Sequence, residues 1–580
     1  MRELLTGNEA VARGAYEYGI TVAAAYPGTP STEILENIAP YDEIYAEWSP
    51  NEKVALEVAL GAAFAGARSL AAMKHVGLNV AADPMFTSAY TGVNGAFIIV
   101  TADDPGMHSS QDEQDNRYYA KFAKIPMLEP SDSQECKEFV GEAVSISEEF
   151  DTPVILRLTT RISHSKSLVE LGTRENVSMR PYRRNAHKYV TTPGNARVLR
   201  VRLEERLKKL KEYSEKSPLN HIEWGDKMIG IITSGIAYQY AREVMGDSAS
   251  YLKLGMTYPL PDELIKEFAS QVEEVYVVEE LEPYLEEHLK ALGIKCHGKD
   301  LIPIVGELNP EIVARGFLGK EPETIKVSIK PAARPPLMCP GCPHRGVFFA
   351  LSGKDAVITG DIGCYTLGSQ EPLSAMDTTI CMGASVSNGH GFQKAFEKNG
   401  INKKVFSVIG DSTFFHSGMT GLLDIAYNKG NSTLIILDNR ITAMTGQQEN
   451  PGTGYTLKGE PTFQADLAKI CNAMGIERVR EVNSLDLEQV EAAIDEAMNT
   501  TDPMVIIAKA PCALLKREKQ PEGKSRIDVD ICQQCGLCLQ LGCPAIYRDE
   551  NDNIIIDEYQ CNGCTLCQQV CEFDAIETTM

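Results

Sequence analysis

No run of eighteen apolar residues occurs anywhere in the 580-residue sequence, so no membrane-spanning helix is expected. The opening Met1-Arg-Glu-Leu-Leu-Thr-Gly lacks the apolar stretch and small-residue cleavage site of a secretory signal, which makes the cytoplasm the expected location. Positive charge is also in short supply. With 56 Lys and Arg against 80 Asp and Glu the formal net charge is −24, which repels phosphate backbones and anionic headgroups and argues against nucleic acid or a membrane surface as partner. No short-period solenoid repeat is present. What remains is a globular chain, 43% hydrophobic, too long for one core; a prior of about 150 residues per domain predicts about four units.

Apolar strands at 20–25, 95–100 and 153–158, with an Ala-rich helix at 54–68, predict an α/β domain over residues 1–165. Residues 166–225 turn basic and polar and predict a connecting segment with one surface helix. Strands at 228–234, 251–253 and 274–278 mark a smaller α/β domain over 226–325. Lys330, Pro331, Arg334, Pro335 and Pro336 mark a linker at 326–336. A third α/β domain, 337–515, has strands at 405–409, 434–437 and 504–508, and residues 516–580 are a charged tether running into a cysteine-rich tail.

Eight of the sixteen cysteines lie after residue 530 of a chain with no secretory signal, which favours reduced thiols serving metals over disulfides, in a host where oxygen is scarce. The tail reads Cys532-x-x-Cys535-x-x-Cys538-x-x-x-x-Cys543-Pro544, then Cys561-x-x-Cys564-x-x-Cys567-x-x-x-Cys571. In two-cluster ferredoxins a cysteine triplet wraps one cube of iron and sulfide, and the fourth ligand comes from the partner half. On that rule Cys532, Cys535, Cys538 and Cys571 hold one [4Fe–4S] cluster, and Cys561, Cys564, Cys567 and Cys543 hold the other. Zinc knuckles, the competing reading, use pairs of cysteines rather than triplets.

The strand at 405–409 runs into Gly410-Asp411-Ser412, and twenty-eight residues after Asp411 a second strand ends in Asn439. A Mg²⁺ on a diphosphate needs hard oxygen ligands, and Asp411, Asn439 and the Ile441 carbonyl would supply them from two adjacent strand ends. The pattern resembles the Gly-Asp-Gly … Asn motif for thiamine diphosphate, with Ser412 in place of the last glycine. Thr442-Ala-Met-Thr445-Gly-Gln447, Cys339-Pro-Gly-Cys342-Pro-His344-Arg345 and Gly360-Asp-Ile-Gly363-Cys364 resemble loops of the 2-oxoacid:ferredoxin oxidoreductases, and the likeness extends over essentially the whole chain.

The resemblance implies an α/β multidomain thiamine-diphosphate fold, with pyrimidine and diphosphate domains, a transketolase-C-like domain and a C-terminal two-cluster ferredoxin-like domain. It gives Cys339, His344, Gly363, Cys364, Gly410, Asp411, Ser412, Asn439 and Thr445 to the cofactor, His344 with a catalytic part. A zinc site at Cys339, Cys342, His344 and Cys364 is the alternative that the Cys-x-x-Cys spacing leaves open. The segment beginning Asn51-Glu52 resembles the family's pyrimidine-domain helix and makes Glu52 the acid facing the aminopyrimidine, with Glu57 the alternative; Thr29, in Tyr26-Pro27-Gly28-Thr29-Pro30-Ser31, would face the substrate carboxylate.

Pyruvate-specific relatives carry an arginine after the strand at 95–100, whereas here none precedes Arg117. Aryl pyruvates, indolepyruvate foremost, are therefore the expected substrates, with phenylpyruvate or alkyl 2-oxoacids as alternatives. The resemblance further implies coenzyme A as acceptor, a smaller second (beta) subunit, and ferredoxin, for which Lys516, Lys519 and Lys524 would form a docking patch. A non-redox thiamine decarboxylase would have no use for the clusters. A non-enzymatic electron carrier would have none for the thiamine site.

Overall fold

The computed structural model describes residues 1–319, 327–329, 335–518 and 523–579, in two compact units, Met1–Ser328 and Ile329–Met580. Most of the linker expected at 326–336, and Lys519, lie outside the described residues. Among those described, no helix is long and apolar enough to cross a membrane.

The first unit is built on a seven-stranded sheet in the order Met256–Tyr258, Met127–Leu128, Val154–Thr159, Phe97–Asp103, Ser69–Lys74, Val22–Ala25, Tyr45–Trp48, parallel except at the Met256–Tyr258 edge. Helices Glu52–Ala65 and Ala82–Thr91 cover one face through Leu56, Ala59, Ala63, Met85 and Ala89, packed on Ala71, Met73, Phe97 and Ile99. The helix expected in the connecting segment is Pro193–Ser214; of its exposed length only Leu199, Leu203, Leu210 and Ser214 are buried, and Leu203 joins this core. The same segment ends in a strand, Asn220–Glu223, antiparallel to Ser250–Leu254 at the edge of a second sheet ordered Glu274–Val278, Ile229–Thr233, Ser250–Leu254, Asn220–Glu223. Arg2–Thr6 pairs antiparallel with Lys166–Glu170.

Charge is buried where the large sheet ends. Arg157 Nε lies 2.7 Å from Asp103 Oδ2 and its Nη1 2.8 Å from Glu129 Oε2, while Arg117 reaches Asp115 and, at 2.6 Å, Glu279, just beyond the strand Glu274–Val278 of the smaller sheet. Removing one cation from such a group strands carboxylates in a place where water cannot reach them. Arg157→Met is expected to cost about 3–5 kcal/mol, read as faster hydrogen exchange of the amides in Phe97–Asp103.

The second unit holds a five-stranded all-parallel sheet ordered Ala356–Thr359, Lys404–Gly410, Thr433–Asp438, Met504–Lys509, Arg478–Asn483. Ile435 and Leu437 face helices His344–Leu351 and Leu487–Asn499, whereas Leu434 and Ile436 face Met419–Tyr427 and Leu467–Ala473. Burial on both faces explains why this strand reads as an unbroken apolar run. The tail folds as two small antiparallel pairs, Lys524–Ile527 with Ile576–Thr579 and Ile546–Arg548 with Ile554–Ile556, around a core of Leu541, Ile546, Leu566 and Val570.

Candidate cofactor site and thiol cavities

Parallel strands bring their carboxyl ends to one edge, where ligands of open α/β sheets bind. In the second unit that edge collects Asp411, Asn439 and Cys512, each just beyond a strand. Asn439 Oδ1 lies 2.7 Å from the Ile441 carbonyl oxygen and 3.2 Å from Asp411 Oδ1. Three acceptors so placed have no donor among them unless the amide is reversed. Adjacent ligands of an octahedral Mg²⁺ bound at 2.0–2.1 Å sit about 2.9 Å apart, so the two distances from Asn439 Oδ1 are those of neighbouring ligands in such a site. Asp411 is buried, and burial together with the neighbouring Asp438 pushes its carboxyl up to about 8, a cost that a cation would remove.

His344 bears on the amide's orientation. It opens the helix His344–Leu351, is buried, and its Nε2 lies 3.4 Å from Asn439 Nδ2. Burial pushes its imidazole down to about 4, leaving it neutral near pH 7. In the tautomer with its proton on Nδ1, the bare Nε2 accepts from Nδ2 and the Asn439 oxygen points toward Asp411. The imidazole is thus directed at the amide of Asn439.

Ser412 accepts a hydrogen bond from Thr442 Oγ1 at 2.8 Å, which ties the Asp411 turn to the loop ending at Gln448. Thr445 donates to Gln448 Oε1 within that loop. Gly363 and Gly410 both lie against the Tyr365 ring, which a Cβ on either would meet at 2.3 and 2.6 Å. Two residues that sequence reasoning passed over also belong here. Asn450 Nδ2 is 3.2 Å from Asp411 Oδ2, and the Cys512 amide donates to the Asn439 carbonyl at 3.1 Å. Cys512 carries no spacing signal; burial and then Cys339 raise its thiol, and burial, Cys512 and Cys339 raise Cys364.

The tail cysteines separate into two cavities. Cys532, Cys535, Cys538 and Cys571 line one, walled by Ile527, Val570 and Ile576. Cys543, Cys561, Cys564 and Cys567 line the other, walled by Leu541, Ile546 and Leu566. Backbone amides donate to sulfur in both: Ala575 to Cys571 Sγ at 3.4 Å, and Ser525 and Gly563 to Cys561 Sγ at 3.3 and 3.4 Å. Such donors stabilise negative charge on sulfur. Among the described residues no three His, Cys, Asp or Glu gather tightly enough to hold a single metal ion.

The Cys339–Cys342 loop packs on the second cavity. Gly341, at φ +67°, lies so close to Asn562 that a Cβ would come within 2.0 Å of its amide. Arg345 Nη1 donates to Leu541 O at 2.6 Å and Nη2 to Met338 O at 2.9 Å, pinning this loop to the tail. Lys524 is also engaged, its ammonium donating to the Cys561 carbonyl.

In the first unit Asn51 caps the helix Glu52–Ala65, its Oδ1 accepting from Val54 N at 2.9 Å. Glu52, the first helical residue, is 4% exposed and lies against Gly77, whose Cβ would meet its carboxylate at 2.7 Å. Glu57 faces outward and pairs with Lys53. Thr29 precedes Pro30 in a turn closed by Ser31 N to Gly28 O, and its carbonyl accepts from Ser109 Oγ at 3.4 Å.

Residues 13–207 match the family described as Pyruvate flavodoxin/ferredoxin oxidoreductase, thiamine diP-bdg, and residues 361–508 the one described as Thiamine pyrophosphate enzyme, C-terminal TPP binding domain. The chain is 42% identical to the indolepyruvate oxidoreductase subunit IorA of Archaeoglobus fulgidus, over 99% of this chain and 97% of that relative. It is equally identical, over the same shares, to the subunit of that name from Methanothermobacter marburgensis. A solved structure of 2-oxoglutarate:ferredoxin oxidoreductase from Magnetococcus marinus is similar at a TM-score of 0.46 and 17% identity, over 55% of this chain and 65% of that one.

Proposed function

This chain belongs to the IorA family of indolepyruvate oxidoreductase subunits, 2-oxoacid oxidoreductases with thiamine-binding domains, and from that premise we propose that it acts on aryl pyruvates, indolepyruvate foremost. The reaction is oxidative decarboxylation to the arylacetyl-CoA and CO₂, with electrons leaving through two [4Fe–4S] clusters to ferredoxin, in a complex with a smaller second subunit. When bound, thiamine diphosphate supplies the electron sink that lets CO₂ depart. Asp411, Asn439 and the Ile441 carbonyl hold Mg²⁺ on the diphosphate, with His344 fixing the Asn439 amide. Glu52 keeps a proton at the aminopyrimidine ring. Its burial favours it over Glu57, whose ion pair with Lys53 lies on the exposed face of the helix.

The observation that carries an oxidative reading over a simple decarboxylase is the packing of Gly341 on Asn562, which joins the loops of the diphosphate domain to a four-thiol cavity. Cys532, Cys535, Cys538 and Cys571 hold one cluster, and Cys543, Cys561, Cys564 and Cys567 the other.

Anaerobic purification of the complex followed by Cys564→Ser tests the outlet. The variant is expected to lose about half of the tail iron and at least ~100-fold in ferredoxin reduction, while CO₂ release from indolepyruvate in a single turnover persists. Zinc in place of iron in the unaltered protein, or undiminished ferredoxin reduction by the variant, would sink the electron path.

A further inference from the structure

A 2-oxoacid arrives as an anion, and a site that binds it in a poorly hydrated place needs a cation to meet the carboxylate. Toward the end of the large sheet in the first unit two buried arginines are already committed. Arg117 is taken by Asp115 and Glu279, and Arg157 by Asp103 and Glu129, all of them buried.

Lys74 differs from these. It ends the strand Ser69–Lys74, is half-buried, and its ammonium donates to one backbone carbonyl, Ser109 O at 2.9 Å. Among the described residues it has no ion-pair partner within 4 Å, and Ser109 O takes one of its three N–H groups. Its stem runs along the Tyr26–Pro30 turn: a Cβ on Gly28 would meet Lys74 Cγ at 3.0 Å and Cδ at 3.2 Å. Gly77, three residues on, is the glycine that lies against Glu52. The lysine, Thr29 and Glu52 are thereby gathered at one end of the sheet. Burial lowers the ammonium's proton affinity, and Asp104, Glu52 and Asp112 work against that from beyond contact distance. Asp104 is itself occupied by Ser109 N at 2.8 Å and by the hydroxyls of Ser110 and Thr160 at 2.7 Å.

We infer that Lys74 is the cation that receives the substrate carboxylate, held in place by its stem against Gly28 and by the Ser109 carbonyl. The inference rests on the reading of Glu52 as the acid of the thiamine site. It makes Lys74 a binding residue, one that fixes which end of the 2-oxoacid points toward the sheet.

The test uses the complete complex with Lys74→Met, which keeps most of the stem, and Lys74→Arg, which keeps the charge. Lys74→Met is expected to retain thiamine and to raise KM for indolepyruvate by about 100-fold, with a smaller change in kcat. Inhibition by an arylpropionate should weaken in parallel, while inhibition by the matching arylpropionamide stays the same. Lys74→Arg should recover most of the loss. Unchanged KM and unchanged arylpropionate inhibition in Lys74→Met would overturn the assignment, and so would loss of thiamine with the remaining KM intact. Undiminished turnover by Glu52→Gln would instead remove the reading of the site on which the inference stands.

Discussion

Asp411→Ala is expected to leave the complex without retained thiamine diphosphate and to lower indolepyruvate oxidation by roughly 10³-fold or more, the scale of a metal contribution of several kcal/mol. The substitution takes one of three oxygens from a group whose members lie 2.7 and 3.2 Å from Asn439 Oδ1. It also removes the one formal charge among the three. Asp411→Asn keeps an oxygen but not the charge and should fall between. A second signature separates loss of the cation site from loss of fold. With its carboxyl pushed up to about 8, Asp411 carries a proton at neutral pH before the cation arrives, and loading releases it. Apparent Mg²⁺ affinity should therefore climb with pH, by up to about tenfold per unit, and level off above about 8. Asp411→Asn should flatten that slope. Magnesium titration of the cofactor-stripped complex between pH 6 and 9 measures both. Thiamine retained at wild-type level by Asp411→Ala would show that these oxygens are not the metal site.

The parts of this site that were legible in the sequence share a physical cause. Lys404–Gly410 and Thr433–Asp438 are buried on both faces, so they read as short β-branched runs, and the residues following a parallel strand fall at the ligand edge. The division of the tail cysteines between two cavities was legible too, because a triplet two residues apart can reach round only one body. Ser69–Lys74 was not seen as a strand. Its Ser-Leu-Ala-Ala-Met-Lys has no β-branched residue, and its place at the middle of the sheet is set by neighbours rather than by propensity. Arg478–Asn483 was missed for the opposite reason: it is an edge strand, exposed and charged, as edges need to be. Arg157 and Asp103, 54 positions apart, meet only because their strands are adjacent, and Cys512 meets Asn439 only once the sheet has formed. Lys74 was invisible with its strand.

The second large effect separates Glu52 from Glu57. Glu52→Gln removes a buried acid at the start of a capped helix, changes volume little and leaves the Asn51 cap in place. Because the amide of glutamine cannot exchange a proton with the aminopyrimidine, kcat should fall by about 10²–10⁴-fold, the usual worth of general acid–base catalysis. Thiamine content and KM should move little, since the diphosphate oxygens and the carboxylate site are untouched. Glu57→Gln breaks only the exposed pair with Lys53, worth a few tenths of a kcal/mol, and should turn over at the parent rate. Isotope exchange at the thiazolium C2 proton, followed by NMR in the absence of substrate, isolates the step: it should slow in Glu52→Gln and stay fast in Glu57→Gln. If the two variants exchanged places in that assay, the acid would have to be sought on the exposed face of the helix. The close contact of Gly77 with the Glu52 carboxylate would then be packing alone, with no bearing on proton transfer.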